Sequence, residues 1–346
     1  MPTAKDYLAQ PPLFLILALG PPNSGKSDLA LTFPACYVAS FDPEGFAILN
    51  GTSERAKTLA RNLRYIEVFS PYGEAATKRL FERTKPTIAP EQVKPGNPQK
   101  YVPVDTSDSG THLLGWLKHA AQVAATGEIQ TLVLDGFNYL VDAKEFLCRN
   151  DSKNFIQTGD GPVLNGRAAY GDLKVYLSQF MWSELLPLCT TYRLNLIVTC
   201  HIKRLSEEAI EGAKDRQGKQ LSVAKIQQDS DIAPQIVGSF KEAIEGKFGA
   251  VVYTDHQIKT LTVPKLHQQH VYLAYCNKTS AFESQANAKN KYNLPDILDV
   301  TGKSFYEELL ACTGGLPIQA AAVAPPVLAQ PAKVAPLVVP AQVKIK

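Results

Sequence analysis

The chain has 346 residues, 45% of them hydrophobic, with a formal net charge of +3. This length suffices for one large α/β domain, or for one domain with insertions and a tail. The small net charge neither demands a nucleic-acid partner nor excludes a local basic groove. The six cysteines form no CxxC pair, which predicts reduced, mostly buried thiols in a cytoplasmic protein. No apolar run approaches the roughly 18 residues of a membrane span, so we expect no signal peptide and no membrane contact.

Apolar and amphipathic segments alternate along the chain after a polar lead-in at residues 1–12. Continuous apolar runs predict buried strands at 13–19, 36–41, 65–70, 129–135, 194–204, 250–255 and 270–276. Helical spacing predicts helices at 27–33, 111–125, 138–149, 170–191 and 305–312. This alternation predicts an α/β fold with a mostly parallel twisted sheet flanked by helices. Ligands bind such sheets at the carboxyl ends of the strands.

Three segments break the alternation. Residues 71–110 are rich in Pro, Lys and Glu and predict an insertion, and residues 205–225 predict a second, charged insertion. Residues 150–168 are rich in Gly, Asn and Asp and predict a loop. Residues 314–346 are mainly Ala, Pro, Val and Gln with few large apolar residues, which predicts a disordered tail. We therefore expect one domain over residues 13–313.

A glycine-rich loop separates the first predicted strand from the first predicted helix. It matches G-x-x-x-x-G-K-[ST] in full, between a buried strand and a helix start. The glycines let backbone N–H groups turn towards phosphate oxygens. Lys26 is expected to reach the β- and γ-phosphates, and the Ser27 hydroxyl to bind Mg²⁺. The predicted ATP site comprises Gly20, Pro21, Pro22, Asn23, Ser24, Gly25, Lys26 and Ser27.

Polar residues that follow other predicted strands are expected to complete this site. Asp135 ends the strand "TLVLD" and is the predicted second holder of Mg²⁺. Hydrolysis also needs a group that orients or deprotonates water, and Glu44 is the candidate because its strand is expected to lie beside the glycine-loop strand. Asp42, in the same "DPE" turn, is the alternative. His201 ends a further strand and is expected to sense the γ-phosphate.

These motifs, in order, resemble the RecA-like ATPases, most closely a phage group that carries an "AAA" label. The similar stretches are "LGPPNSGKSDLALTFPACYVASFDPEG", "TLVLDGFNYL", "LIVTCHIKR", and "DIAPQIVGSFKEAIEGKFGAVVYT" followed by "AKNKYNLPDIL". The resemblance covers roughly residues 13–300. It implies a RecA-type core, Glu44 as catalytic carboxylate, His201 as sensor and a homo-oligomer, either ring or filament. It also implies that a basic residue of a neighbouring subunit completes the site. Lys289 and Lys291 match that basic pair, with lysine where arginine is common at the second position.

The resemblance further implies that residues 150–172 and 203–230 face single-stranded DNA. Basic and aromatic side chains there are candidates for phosphate contact and base stacking. The second segment carries about as many acids as bases, so a solvated loop remains an alternative. The candidate DNA-binding residues are Lys153, Arg167, Tyr170, Lys203, Arg204 and Arg216.

The sequence thus leads to two main hypotheses. The first is an ATPase that acts on single-stranded DNA in phage-type recombination, annealing or replication. The second is a nucleotide-dependent assembly switch that binds protein partners, in virion morphogenesis or DNA packaging, without contacting DNA. A small-molecule kinase is a third, weaker hypothesis. The tail is a candidate contact for a phage or host protein.

Overall fold

The computed structural model describes residues 13–42, 54–69, 71, 73–81, 112–159, 161–202, 240–261, 267–277 and 289–314. The lead-in, the predicted insertion at 205–225 and all but the first residue of the tail lie outside these ranges. Of the insertion near 71–110, the structure describes residue 71 and residues 73–81. Within the described residues, no helix is long and apolar enough to cross a membrane.

The described chain forms an α/β fold around one large sheet. Its strands are β1 (Leu15–Gly20), β2 (Cys36–Ser40), β3 (Leu63–Val68), β4 (Thr131–Asp135), β7 (Asn195–His201), β8 (Ala250–Leu261), β9 (His267–Tyr275), β10 (Lys289–Asn290) and β11 (Ile297–Asp299). A separate hairpin consists of β5 (Phe155–Thr158) and β6 (Gly161–Leu164).

Helices connect these strands. They are α1 (Lys26–Leu31), α2 (Glu54–Asn62), α3 (Glu74–Phe81), α4 (Leu113–Ala125), α5 (Phe137–Asn150), α6 (Gly166–Ser178), α7 (Leu186–Tyr192), α8 (Phe240–Lys247) and α9 (Phe305–Thr313). A 3₁₀ turn at Ser152–Asn154 follows α5, and a π-helical segment at Gln179–Leu185 joins α6 to α7.

The strand order is β11-β9-β8-β1-β7-β4-β2-β3, with β10 beside β8. The neighbours from β8 to β3 pair in parallel, whereas β9, β10 and β11 add antiparallel pairings at one side. The prediction that β2 lies beside β1 is wrong, because β7 and β4 stand between them. A parallel strand can be reached only through a crossover connection, so adjacency in sequence does not fix adjacency in the sheet.

Both faces of the sheet are buried. In β1, Leu17 and Leu19 pack into the cluster on one face, whereas Ile16 and Ala18 pack into the cluster on the other. Alternate side chains of a strand point to opposite faces, so a strand covered on both sides has to be apolar throughout. This requirement explains the continuous apolar runs that the sequence shows.

Several predicted boundaries need correction. Residues 150–168 were expected to form a loop but contain the β5–β6 hairpin. The helix predicted at 170–191 begins at Gly166, because the Asn165 side chain accepts a hydrogen bond from the Ala168 N–H and caps it. The insertion expected near 71–110 includes α3, and α2 and α8 were not predicted.

Candidate nucleotide-binding site

The loop between β1 and α1 is built for close backbone approach. Gly25 has φ +87° and Asn23 has φ +61°, both in the left-handed region. At Gly20, an added Cβ would lie 2.4 Å from Ser24 Oγ and 2.5 Å from both Thr254 Oγ1 and the Thr254 carbonyl oxygen. No side chain fits at Gly20, so the loop turns tightly off the end of β1.

Lys26 is buried at the base of this loop. Its Nζ donates hydrogen bonds to the carbonyl oxygens of Gly20 at 3.0 Å and Pro21 at 2.6 Å. Burial lowers the pKa of Lys26 to about 8, and the nearby Asp135 carboxylate partly opposes that shift. The ammonium group is therefore poorly solvated, and an anion in the loop would stabilise its charged form.

Asp135, at the end of β4, lies beside the first turn of α1. The hydroxyls of Ser27 and Thr199 donate to the same oxygen, Asp135 Oδ1, at 2.9 Å and 2.7 Å. The N–H of Gly136 donates to Thr199 Oγ1 at 2.9 Å. Burial raises the pKa of Asp135, and the two hydroxyl hydrogen bonds and Lys26 oppose the rise. In the described part of the chain, Oδ2 makes no hydrogen bond and remains available to a ligand.

His201 reaches the site because β7 lies between β1 and β4. Its backbone N–H donates to Asn138 Oδ1 at 3.1 Å, and its ring meets Tyr139 edge-on with centroids 5.6 Å apart. Burial, and next the charge of Lys26, lowers the pKa of His201. Sequence reasoning missed Asn138 and Tyr139. The only feature of the sequence that could have indicated these two residues is that they are polar and closely follow the strand that ends in Asp135.

The pairing of β2 with β4 determines where Asp42, which follows β2, lies. Ser40 is the register partner of Asp135, and the Phe41 N–H donates to the Asp135 carbonyl oxygen at 2.8 Å. Asp42 consequently lines the same cavity as Lys26 and Asp135. Glu44 lies outside the described residues, so its role stays a prediction.

A cavity of about 780 Å³ joins these groups at the carboxyl edge of the sheet. Asp135, Thr199 and His201 line it on the β7–β4 side, and Tyr272 of β9 lines it on the other side. An added Cβ on Gly25 would lie 3.0 Å from Tyr272 Cδ1, so this ring packs directly against the loop. Sequence reasoning missed Tyr272, since only the register of β9 brings it here. The lining residues are Pro22, Asn23, Ser24, Gly25, Lys26, Ser27, Asp28, Asp42, Asp135, Gly136, Tyr139, Thr199, His201 and Tyr272.

Lys291 does not enter this cavity. Its N–H donates to the Gly249 carbonyl oxygen, and the Gly249 N–H donates to the Leu15 carbonyl oxygen, both at 2.9 Å. Lys291 is therefore level with the start of β1, about 17 Å along the strand from Gly20 at ~3.3 Å per residue. Its side chain is exposed at the amino edge of the sheet. Lys289, two residues earlier, is on β10 and is the register partner of Val251.

The candidate DNA-binding residues that the structure describes lie near the β5–β6 hairpin. Lys153 Nζ pairs with Asp172 at 3.0 Å and Asp151 at 3.4 Å, so its charge is already balanced. The Tyr170 hydroxyl accepts a hydrogen bond from Arg149, whose guanidinium also lies 5.6 Å from the Tyr170 ring centroid. Arg167 is exposed and makes no hydrogen bond or ion pair within the described ranges. The remaining candidates, Lys203, Arg204 and Arg216, lie outside those ranges.

The fold and site define an α/β protein with a mostly parallel sheet and a glycine-loop cavity at the carboxyl edge. No family model matches the sequence, and a search of curated proteins gives no match. Among solved structures, one that is similar is the flagellar accessory protein FlaH from Methanocaldococcus jannaschii. The identity is 15%, the TM-score is 0.29, and the match covers 77% of this chain and 78% of that chain. A TM-score of that size carries no argument about fold or function.

Proposed function

We propose that this chain is a RecA-type, Mg²⁺-dependent P-loop ATPase. The observation that carries the proposal is the convergence of the Ser27 and Thr199 hydroxyls on one oxygen of the buried Asp135, next to the buried ammonium group of Lys26. A buried carboxylate with a hydroxyl beside it offers the oxygen ligands that Mg²⁺ prefers. The ammonium group supplies the positive charge that phosphates need.

In this proposal, different residues of the loop bind the phosphates and the Mg²⁺ ion. Backbone N–H groups of the loop from Asn23 to Ser27 would face the phosphate oxygens, since Pro21 and Pro22 have none, and Lys26 would move its hydrogen bonds from the loop carbonyls to the β- and γ-phosphates. Ser27 and Asp135 would hold Mg²⁺, which would supply positive charge to the phosphate oxygens. Asp135, Thr199 and His201 are the lining residues available to the γ-phosphate, and Tyr272 on the other wall is available to the rest of the nucleotide.

Hydrolysis requires a carboxylate that accepts a proton from the attacking water. The segment that follows β2 supplies the candidates, Glu44 first and Asp42 as the alternative. Asp42 lines the cavity, and the pairing of β2 with β4 brings the end of β2 beside Asp135. His201, whose pKa is lowered by burial, offers a hydrogen bond near the γ-phosphate and in this proposal passes the nucleotide state on to the residues after β7.

We further propose single-stranded DNA as the partner, with the ATPase acting in phage-type recombination, annealing or replication. Arg167, which is exposed and has no ion pair among the described residues, supports this proposal. A different observation favours the alternative of a protein-binding assembly switch. Ile156 and Val163 are register partners on the hairpin, and each is 55% exposed. An exposed apolar pair suits a protein surface better than a phosphate backbone.

The rate of ATP hydrolysis with and without single-stranded DNA separates the two partners. DNA stimulation of several fold, reduced by Arg167→Ala but not by Ile156→Ser with Val163→Ser, supports the DNA proposal. Turnover that DNA leaves unchanged contradicts it and favours the assembly switch. Lys26→Ala serves as the blank, because it removes the phosphate charge partner in either case.

A further inference from the structure

The strands β8 and β9 form an arm that extends past the glycine loop. β8 pairs with β1 only from Ala250 to Tyr253, which lie opposite Ile16 to Leu19. Beyond that point β8 continues to Leu261, paired with β9 alone. The arm therefore runs about 25 Å past the end of the β1 pairing, at ~3.3 Å for each residue from Thr254 onwards.

Two histidines meet on one face of this arm. His256 lies opposite Tyr272, and His270 lies opposite Ile258, so the histidines are diagonal neighbours across the strand pair. His256 Nε2 is 2.8 Å from His270 Nδ1, and the pair is accessible to solvent. The two ring planes differ by 2°, with centroids 5.0 Å apart. These values describe rings that lie side by side in one plane, with two nitrogens aimed at each other.

That arrangement places two nitrogen donors face to face, on one line and 2.8 Å apart. A single proton between them makes one ring the donor and the other the acceptor. A transition-metal dication takes the same position at about 2.0–2.1 Å from each nitrogen, which in tetrahedral geometry needs the nitrogens about 3.3 Å apart. Binding therefore requires the imidazoles to turn out of their common line, so that the nitrogens separate and both lone pairs face the ion; the exposed His270 has most freedom to do so. We propose that His256 and His270 form a binding site for a transition-metal dication, with imidazole nitrogens as the protein ligands.

The site is held from one side. The Tyr272 ring stacks on His256 with centroids 4.8 Å apart and planes 21° apart. The Tyr272 N–H donates to Thr301 Oγ1 at 2.8 Å, which fixes the strand behind the ring. Because Tyr272 also packs against Gly25, a metal ion at the histidines is connected by contact to the wall of the nucleotide cavity.

The chemistry of the donors restricts the metal. The described residues contain no group of three or more His, Cys, Asp or Glu side chains placed to hold a metal, so this site has two protein ligands and completes its coordination with water. Imidazole favours Zn²⁺, Ni²⁺ and Cu²⁺, with Cu²⁺ bound most tightly. Mg²⁺ prefers oxygen ligands and does not compete. The site is thus distinct from the proposed Mg²⁺ position at Asp135 and does not depend on the proposed ATPase activity.

The test is a calorimetric titration of ZnCl₂ into the full chain, purified without a histidine tag and without nucleotide. We expect one equivalent of Zn²⁺ to bind, with a tenfold molar excess of Mg²⁺ having no effect. Loss of a partner that merely orients a metal ligand costs about 10–100-fold in affinity, so His256→Gln and His270→Gln should each weaken binding by at least about tenfold. With Cu²⁺ as the probe, electron paramagnetic resonance should show coupling to two nitrogens, and to fewer in either variant.

The matched control is His112→Gln, which removes a histidine at the start of α4. It should bind Zn²⁺ as the wild type does. His270 is exposed and His256 is half-buried, and glutamine is polar and of similar size, so we expect both variants to fold; circular dichroism checks that they do. The proposal is overturned if the wild type binds no Zn²⁺, or if His256→Gln and His270→Gln bind it as tightly as the control.

Discussion

At the scale of single residues, burial is what gives Lys26 its chemistry. The ammonium group has lost most of its water, and its pKa falls to about 8 although Asp135 is near. Phosphate oxygens favour the charged form, so binding a nucleotide raises this pKa again. The free energy of nucleotide binding therefore depends on whether Lys26 is protonated before the nucleotide binds.

The first prediction follows from that linkage. Above pH 8 more Lys26 is neutral before binding, so the affinity for ATP should be constant below about pH 7 and fall by up to tenfold per pH unit above 8. Calorimetry at pH 8, in buffers with different ionisation enthalpies, should show uptake of about half a proton per nucleotide. At pH 6.5 uptake through Lys26 should be near zero. Affinity that is independent of pH up to 9.5 would contradict the assignment.

A second residue-scale prediction concerns Glu67, which is buried in β3, away from the proposed site. It accepts a hydrogen bond from the Tyr37 hydroxyl, which also lies 3.0 Å from His119 Nδ1. Burial raises the pKa of Glu67 to about 7, against 4.5 for the free side chain. The folded state thus holds the proton more tightly. The stability that the protonated form contributes is complete below about pH 4.5 and is lost as the pH rises to about 7.

Glu67→Gln should remove this pH dependence, because glutamine does not ionise. At pH 8 the ionised carboxylate costs on the order of 2–3 kcal/mol, so the variant should gain some of that stability relative to the wild type. Urea unfolding at pH 5 and pH 8 measures the difference. If the wild type and the variant lose the same stability between these pH values, Glu67 does not titrate as described.

At the scale of elements, the packing of β8 against the end of β1 determines the position of the glycine loop. Ser24 Oγ and Thr254 Oγ1 share a hydrogen bond of 2.7 Å directly above Gly20. A methyl group at Gly20 would meet both hydroxyls and the Thr254 carbonyl within 2.5 Å. The glycine loop is thus held by β8 as well as by its own turn.

Gly20→Ala should therefore displace the loop and weaken ATP binding by tenfold or more, with a lowered midpoint of thermal unfolding. Gly171→Ala, in α6, is the matched control. An added Cβ at Gly171 meets no atom within 4 Å, and alanine favours a helix by roughly 1 kcal/mol over glycine. The control should bind ATP normally and melt at the same or a higher temperature. Equal behaviour of the two variants would refute the packing argument.

The sequence predicts those elements and residues whose signal is local. The runs that form β1 and β4 are buried on both faces, so their continuous apolar composition predicts them as strands. The loop from Gly20 to Ser27 is recognisable because its motif is continuous in sequence. The helix α2, with the sequence ERAKTLARN, is largely polar, and its apolar residues give too short a pattern to recognise. Asn138 and Tyr272 could not be predicted, because their positions depend on strand order and register. The same reason explains the error in placing β2 beside β1.

At the scale of the whole molecule, Lys291 and the glycine loop lie at opposite edges of one sheet. Lys291 cannot serve the cavity of its own chain. If it completes an ATP site, it completes that of a neighbouring copy, as expected for the proposed homo-oligomer. A lysine side chain carries a point charge and lacks the bidentate donor geometry of arginine. In such a site Lys291 would therefore act by neutralising charge on the phosphate.

This arrangement predicts complementation between two inactive variants. Lys26→Ala and Lys291→Ala should each hydrolyse ATP slowly when alone. Mixed subunits should form some sites with Lys26 from one chain and Lys291 from the other, so activity should recover as the mixture approaches equal proportions. Lys303→Ala, which removes an exposed lysine elsewhere, should keep full activity alone. If the ATPase activity of the mixtures never exceeds the summed activities of the two variants measured alone, Lys291 does not contribute to the site.

The most direct test of the central claim is steady-state hydrolysis of ATP in the presence of Mg²⁺ by the purified full chain. The variants Lys26→Ala and Asp135→Asn are measured beside it, with Asp255→Asn as a carboxylate control on β8 away from the cavity lining. The account predicts turnover by the wild type and the control, and a loss of about 100-fold or more in both site variants. A wild type that neither binds nor hydrolyses ATP, or site variants as active as the control, would contradict it.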